Sequence, residues 1–309
     1  MRSVSGLFIL CCAVLVLAAC NKPVSAPNSN SVERGSGSSP VPVSAASFAK
    51  FRSELKSKLT GDGKAPQEYA DEEPPAKVKE VKFKSGDLEI AAWQSPLPTD
   101  GKKHPALVFA HGGFAFSAED WDCVSKWADS GWVVIVPIFR GENGRPGRFD
   151  LFLGEVDDLI AAGEYAKSLE CVNENQVFAA GHSVGGTKAI LVSMLPSPFR
   201  AAGSVGGAAD LMDWIKGQEE LAPFDLKNAD EVKARDPAQW IAAIHIPLVV
   251  THGDSESWCL RKTPHLVNTA LKAGKEVHYI TPPGDHFTCF PKAMDEIIKR
   301  FDRIRSSDR

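Results

Sequence analysis

The sequence predicts an α/β fold, a mostly parallel central sheet flanked by helices, on three grounds. From residue 78 onward, short apolar runs alternate with helix-compatible stretches, the pattern of strands buried on both faces. About 230 residues remain from there, which suits one such domain with a single large core. Four of the runs end in small-residue loops carrying hydroxyl, imidazole or carboxylate groups, and sheets of this kind place their chemistry at the carboxyl ends of the strands.

In chain order, Arg2 gives a short basic region, Leu7 to Ala18 is apolar, and Leu17-Ala18-Ala19-Cys20 resembles a bacterial lipobox, whose cysteine becomes the lipid-modified first residue. The apolar stretch is short for a membrane span. Residues 1–19 are therefore expected to be a lipoprotein signal peptide and Cys20 the anchor, with an ordinary signal peptide or a short membrane anchor as the alternatives. Asn21 resembles an outer-membrane sorting signal, so the protein is expected in a bacterial cell envelope, lipid-anchored to the outer membrane on its periplasmic side or at the cell surface. Residues 21–45 are rich in Ser, Pro, Asn and Gly and bury too little surface to offset the entropy of ordering. Phe48, Phe51, Leu55 and Leu59 have helical spacing, with Ser47 as a cap, and the sequence leaves open whether that helix docks. The whole of residues 20–75, closed by Pro74-Pro75, is expected to be a tether.

The domain at 76–309 opens with an antiparallel pair, Val78 to Phe83 and Leu88 to Trp93. Runs at 106–110, 132–137, 177–180, 202–205, 248–251 and 277–280 supply the parallel strands. Val156, Leu159, Ile160, Tyr165, Ala166 and Leu169 give one helix a broad apolar face. Glu155, Asp157 and Asp158 then lie in its first turn, where carboxylates favour the helix dipole or pair with Arg140. Residues 208–243, with Trp214, Phe224 and Trp240, form an insertion expected over the strand ends. It is read as a source of substrate selectivity or as helix core.

Gly181-His182-Ser183-Val184-Gly185 follows one strand and precedes a helix-compatible stretch, the pattern of a nucleophile elbow. A serine there needs a base and a carboxylate, and both follow: His286 in Pro283-Gly284-Asp285-His286-Phe287, and Asp254 or Glu256 in His252-Gly253-Asp254-Ser255-Glu256. Upstream, His111-Gly112-Gly113-Phe114 offers backbone N–H groups of Gly113 and Phe114 to a developing oxyanion, with Val184 as a further donor. Gly203-Ser204-Val205-Gly206-Gly207 fails as an elbow, since Ala202 stands two before its serine; it is read as a strand end whose small residues pack close to the site.

These motifs, with Pro137 to Gly144 and Gly154 to Leu159, resemble the α/β-hydrolase superfamily, and within it the catalytic domain of the prolyl oligopeptidase family and dienelactone hydrolase-like serine hydrolases. The likeness spans roughly residues 78–304. It implies a serine hydrolase acting through an acyl-enzyme. In those families the acid stands three positions after the glycine of the His-Gly loop, which lands on Glu256; a shorter Asp is usual there, so Asp254 is kept as the alternative. Large peptidases of the family carry a β-propeller. About 75 residues ahead of the first strand are too few for one, which favours esters or related acyl substrates over peptides. A non-catalytic ligand-binding surface lipoprotein is the reading from a different class.

A net charge of −4, with no basic stripe, argues against a nucleic-acid partner. No P-loop, dinucleotide fingerprint or metal pair occurs in the sequence, so neither a cofactor nor a metal is implied. Of seven cysteines, Cys123, Cys171, Cys259 and Cys289 are left after lipoprotein processing. Cys259 follows the acid loop and Cys289 follows His286, so a disulfide between them is expected to brace the triad, with free buried thiols as the alternative.

Overall fold

The computed structural model describes residues 43–307. Cys20, Asn21 and the expected signal peptide lie outside the described residues. Helices run over Ala45–Glu54 (α1), Ala118–Asp129 (α2), Gly154–Ser168 (α3), Val184–Val192 (α4), Leu211–Trp214 (α5), Ala229–Lys233 (α6), Ser257–Lys272 (α7) and Phe290–Ser306 (α8). Strands run over Lys79–Ser85 (β1), Leu88–Gln94 (β2), His104–Ala110 (β3), Val133–Ile138 (β4), Val172–His182 (β5), Ala201–Val205 (β6), Leu248–Thr251 (β7) and Val277–Ile280 (β8). They form one 8-stranded sheet in the order β1-β2-β4-β3-β5-β6-β7-β8. β1 and β2 pair antiparallel, β2 joins β4 antiparallel, and from β4 onward β4, β3, β5, β6, β7 and β8 run parallel to one another.

Strand periodicity sorts the core. In β3, Ala106, Val108 and Ala110 face one side with α3, α4 and α7, while Leu107 and Phe109 face the other with α2 and α8. Both faces are covered, which is why the strands read as continuous apolar runs. Each fully buried branched side chain contributes on the order of 1.5–3 kcal/mol.

The expected tether is shorter than its boundary at residue 75. Helix α1 starts at Ala45, capped by Ser44, whose side chain accepts from the Ser47 N–H at 3.1 Å while Ser47 bonds back. It docks through Phe48, which stacks on Trp240 with ring centroids 4.4 Å apart, and through Arg52, which donates to the Phe152 and Leu153 carbonyls and to Asp157. Long-range aromatic contact overrides the polar local composition here. Trp240 and Phe224 are therefore core residues of the insertion, and Trp214 packs on Phe152 at 5.8 Å. Arg140 makes the expected pair with Asp158, bidentate at 2.6 and 3.0 Å.

Candidate active site

The elbow is built by close approach. Ser183 joins β5 to α4 with φ 56° and ψ −120°, a strained conformation for a residue with a Cβ. A Cβ at Gly185 would overlap the Ala110 carbonyl oxygen, so only glycine lets α4 start against the end of β3. Val184 is the first residue of α4, where position alone leaves its N–H without an intrahelical acceptor. Gly112 closes the other side: a Cβ there would stand 3.5 Å from Ser183 Cβ.

The acid and histidine loops are stitched backbone to backbone. Asp254 N–H donates to the Pro282 carbonyl at 3.0 Å and Ser255 N–H to that of Gly284 at 3.1 Å. This brings His286 Nδ1 to Glu256 Oε1 at 2.5 Å, while Glu256 Oε2 accepts from Gly253 N–H at 3.0 Å. Burial works against the Glu256 charge, but the bond to His286, that ring's charge and the Gly253 N–H together hold the carboxyl below its usual range. Asp254 is not at the histidine; it is exposed, and its Oδ1 accepts from Gly284 N–H and Ser255 Oγ at 3.0 Å, holding the turn.

Gly206, at the end of β6, leaves room for this pair. Its φ is +60°, and a Cβ would lie 2.8 Å from His286 Nδ1 and 3.0 Å from Glu256 Oε1. The strand end read as packing close to the site does so at this residue.

Two sequence expectations are corrected. Phe114 N–H is not free for an oxyanion: it donates to Gln67 Oε1 at 2.8 Å, and one hydrogen serves one strong acceptor. Gly113 and Val184 keep the N–H groups expected to meet an oxyanion. Cys259 and Cys289 are free, buried thiols instead of a disulfide. Cys259, in the first turn of α7, turns its Sγ to Glu256 Oε1 at 3.4 Å, whereas Cys289 packs with Phe290, Ala293 and Met294 under the sheet. Burial, then the nearby carboxylate, raises both thiols, Cys289 to about 11.

Several residues escaped the sequence reading. His182 Nε2 donates to the His286 carbonyl at 2.9 Å, and the rings lie 4.6 Å apart. Burial, reinforced by His286, lowers the His182 pKa to about 4, so the ring is neutral near pH 7 and able to hold the His286 backbone. Beneath the oxyanion loop, His111 Nε2 approaches Glu142 Oε2 at 2.9 Å, outside hydrogen-bond geometry, and Lys188 Nζ stands 3.8 Å from Glu142 Oε1 and 3.6 Å from the Phe139 ring centroid. All three side chains are buried. Burial opposes each charge, yet their pairing holds Glu142 below its ordinary range and His111 above its own. Lys188 had a signal, as a lone charge in Thr187-Lys188-Ala189-Ile190-Leu191-Val192; His182 and Glu142 had none.

The sequence profile of the prolyl oligopeptidase family matches residues 120–302. Dipeptidyl-peptidase 5 of Aspergillus fumigatus is 32% identical over 211 residues, 59% of this chain and 28% of that protein, so the chain spans little more than a quarter of this relative. Among solved structures, the acylaminoacyl peptidase of Pyrococcus horikoshii superposes with a TM-score of 0.61 at 21% identity, over 73% of this chain and 41% of that one. An esterase of the planctomycete Thermogutta terrifontis gives 0.59 at 18%, over 74% and 93%. At these identities the two structures speak for the shared α/β-hydrolase fold. A chain with this elbow, with its histidine and carboxylate in this order, and with the family profile matched over more than half its length belongs to the prolyl oligopeptidase family.

Proposed function

We propose that the protein is a serine hydrolase cleaving an ester or related acyl bond. The observation that carries this is the 2.5 Å bond between His286 Nδ1 and Glu256 Oε1 beside a serine held at φ 56°. Ser183 Oγ attacks the substrate carbonyl and His286 Nε2 takes its proton. Glu256 accepts from Nδ1–H and balances the imidazolium. Gly113 and Val184 N–H groups stabilise the oxyanion, aided by the positive end of α4. His286 returns the proton to the leaving group, and water, deprotonated by the same ring, releases the acyl group and restores Ser183.

Family membership and the dipeptidyl-peptidase 5 relative favour a second reading, cleavage of peptides. Turnover of p-nitrophenyl esters against aminoacyl-p-nitroanilides separates the two. Esters hydrolysed at least about tenfold faster, relative to their uncatalysed rates, support the first reading; the reverse order supports the second.

We also propose attachment to a bacterial envelope membrane through lipid on Cys20, supported by Leu17-Ala18-Ala19-Cys20. Cys20→Ala should move the protein from the membrane fraction to the soluble one. Retention in the membrane contradicts this.

A further inference from the structure

Glu256 is the N-cap residue of α7, yet its side chain makes no capping bond. A carboxylate at that position ordinarily turns to the N–H groups of the first turn, here those of Trp258 and Cys259, and the positive end of the helix draws it the same way. Instead Oε1 meets His286 Nδ1 at 2.5 Å and Oε2 takes the Gly253 N–H at 3.0 Å. Two orientations therefore compete, and only one serves the histidine. A second contact lies on Oε1, from Cys259 Sγ at 3.4 Å. Cys259 stands three residues beyond Glu256 in the chain, a spacing that brings the two side chains together on one face. They are 1% and 4% exposed, so bulk water is not at hand to replace the contact. An ionised carboxylate only accepts, so the hydrogen between them is the thiol's. Burial, then the carboxylate itself, keeps that thiol protonated.

We propose that Cys259 is a positioning residue for the reaction: its S–H, donated to Oε1, holds the Glu256 carboxylate on His286 and away from the end of its own helix. The proposal rests on the hydrolase reading above. The thiol acts through Glu256, touches no substrate and gives up no proton. Because a thiol is a weak donor, it steers Oε1 without competing with the imidazolium for it.

The test separates the donor from the space it fills. Cys259→Val keeps the bulk and loses the donor, whereas Cys259→Ser keeps a donor and loses bulk. With active sites counted by burst titration on a p-nitrophenyl ester, Cys259→Val should lower kcat by about three- to tenfold and leave KM unchanged, since His286 is needed for chemistry and not for binding. Cys259→Ser should recover most of that loss. Cys259→Ala, which lacks the donor and adds no methyl group, should follow Cys259→Val, and it decides the matter if valine does not fit. Wild-type kcat in the folded variants without a donor overturns the proposal. So does a loss that serine shares, which makes Cys259 only a filler of space. Fluorophosphonate treatment of the wild type precedes the variants: a Ser183 that takes no label sinks the hydrolase reading and the proposal with it, whereas a labelled wild type with a fully active Cys259→Val sinks the proposal alone.

Discussion

Replacing Gly206 with alanine tests how the histidine and its carboxylate are held. The new Cβ would lie 2.8 Å from His286 Nδ1, 2.9 Å from Cε1 and 3.0 Å from Glu256 Oε1. Carbon needs about 3.5–4.0 Å, so the ring must retreat by roughly 0.5–1 Å. A general base displaced that far costs about 10²-fold in turnover. The residue also has φ +60°, and a side chain in that region costs about 1–2 kcal/mol of stability by itself. Gly274→Ala separates the two effects: its φ is +71° and nothing lies within 4 Å of the added Cβ. Urea unfolding and kcat on a p-nitrophenyl ester, with active sites counted by burst titration, give both quantities. Both variants should lose about 1–2 kcal/mol, and only Gly206→Ala should lose about 10²-fold in kcat. A folded Gly206→Ala enzyme within about threefold of wild-type kcat would refute the packing argument, since that loss is far below the factor expected for a displaced base.

Glu256→Gln should lower kcat by on the order of 10⁴-fold with the fold intact, whereas Asp254→Asn should loosen only its turn and leave kcat nearly unchanged; a larger kcat loss for Asp254→Asn reverses the assignment. His182 has a folded pKa near 4 against about 6.5 unfolded, so between those values the unfolded chain binds the extra proton and stability falls as pH drops from 6.5 to 4. The loss should reach about 3 kcal/mol, and His182→Asn should flatten that part of the urea-stability profile; an equally steep variant contradicts it. Glu142→Gln takes the carboxylate away from the buried side chains of His111 and Lys188 and should cost about 3–5 kcal/mol, read as a drop in Tm; a Tm within a degree of wild type would show that the cluster relaxes. Dithiothreitol should change neither Tm nor activity, because Cys259 and Cys289 are free; a fall in either on reduction restores the disulfide.

The strand ends were legible because parallel strands buried on both faces show as short apolar runs, and their loops carry the chemistry within a few residues. Leu248–Thr251 and Val277–Ile280 match the sequence reading, while β5 starts at Val172, ahead of its apolar stretch, because Val172 already pairs with His104 before a register shift, after which the ladder resumes at Val177 with Ala106. The carboxylate that lies against His286 is the one the family resemblance pointed to, since Glu256 falls three residues after Gly253. What sequence missed acts across long separations. Phe48 finds Trp240, Gln67 finds Phe114, and Gly206 vacates space for His286, and no local spacing encodes any of these contacts. The disulfide failed for a related reason: loop convergence brings cysteines near one another, but side-chain direction decides bonding, and Cys259 is turned to Glu256.

The central claim is that Ser183 is the nucleophile. Intact-mass measurement after treatment with a fluorophosphonate tests it most directly. One adduct should form, map to Ser183 and disappear in Ser183→Ala; labelling that persists unchanged in that variant, or a wild-type protein that takes no label, would contradict the account.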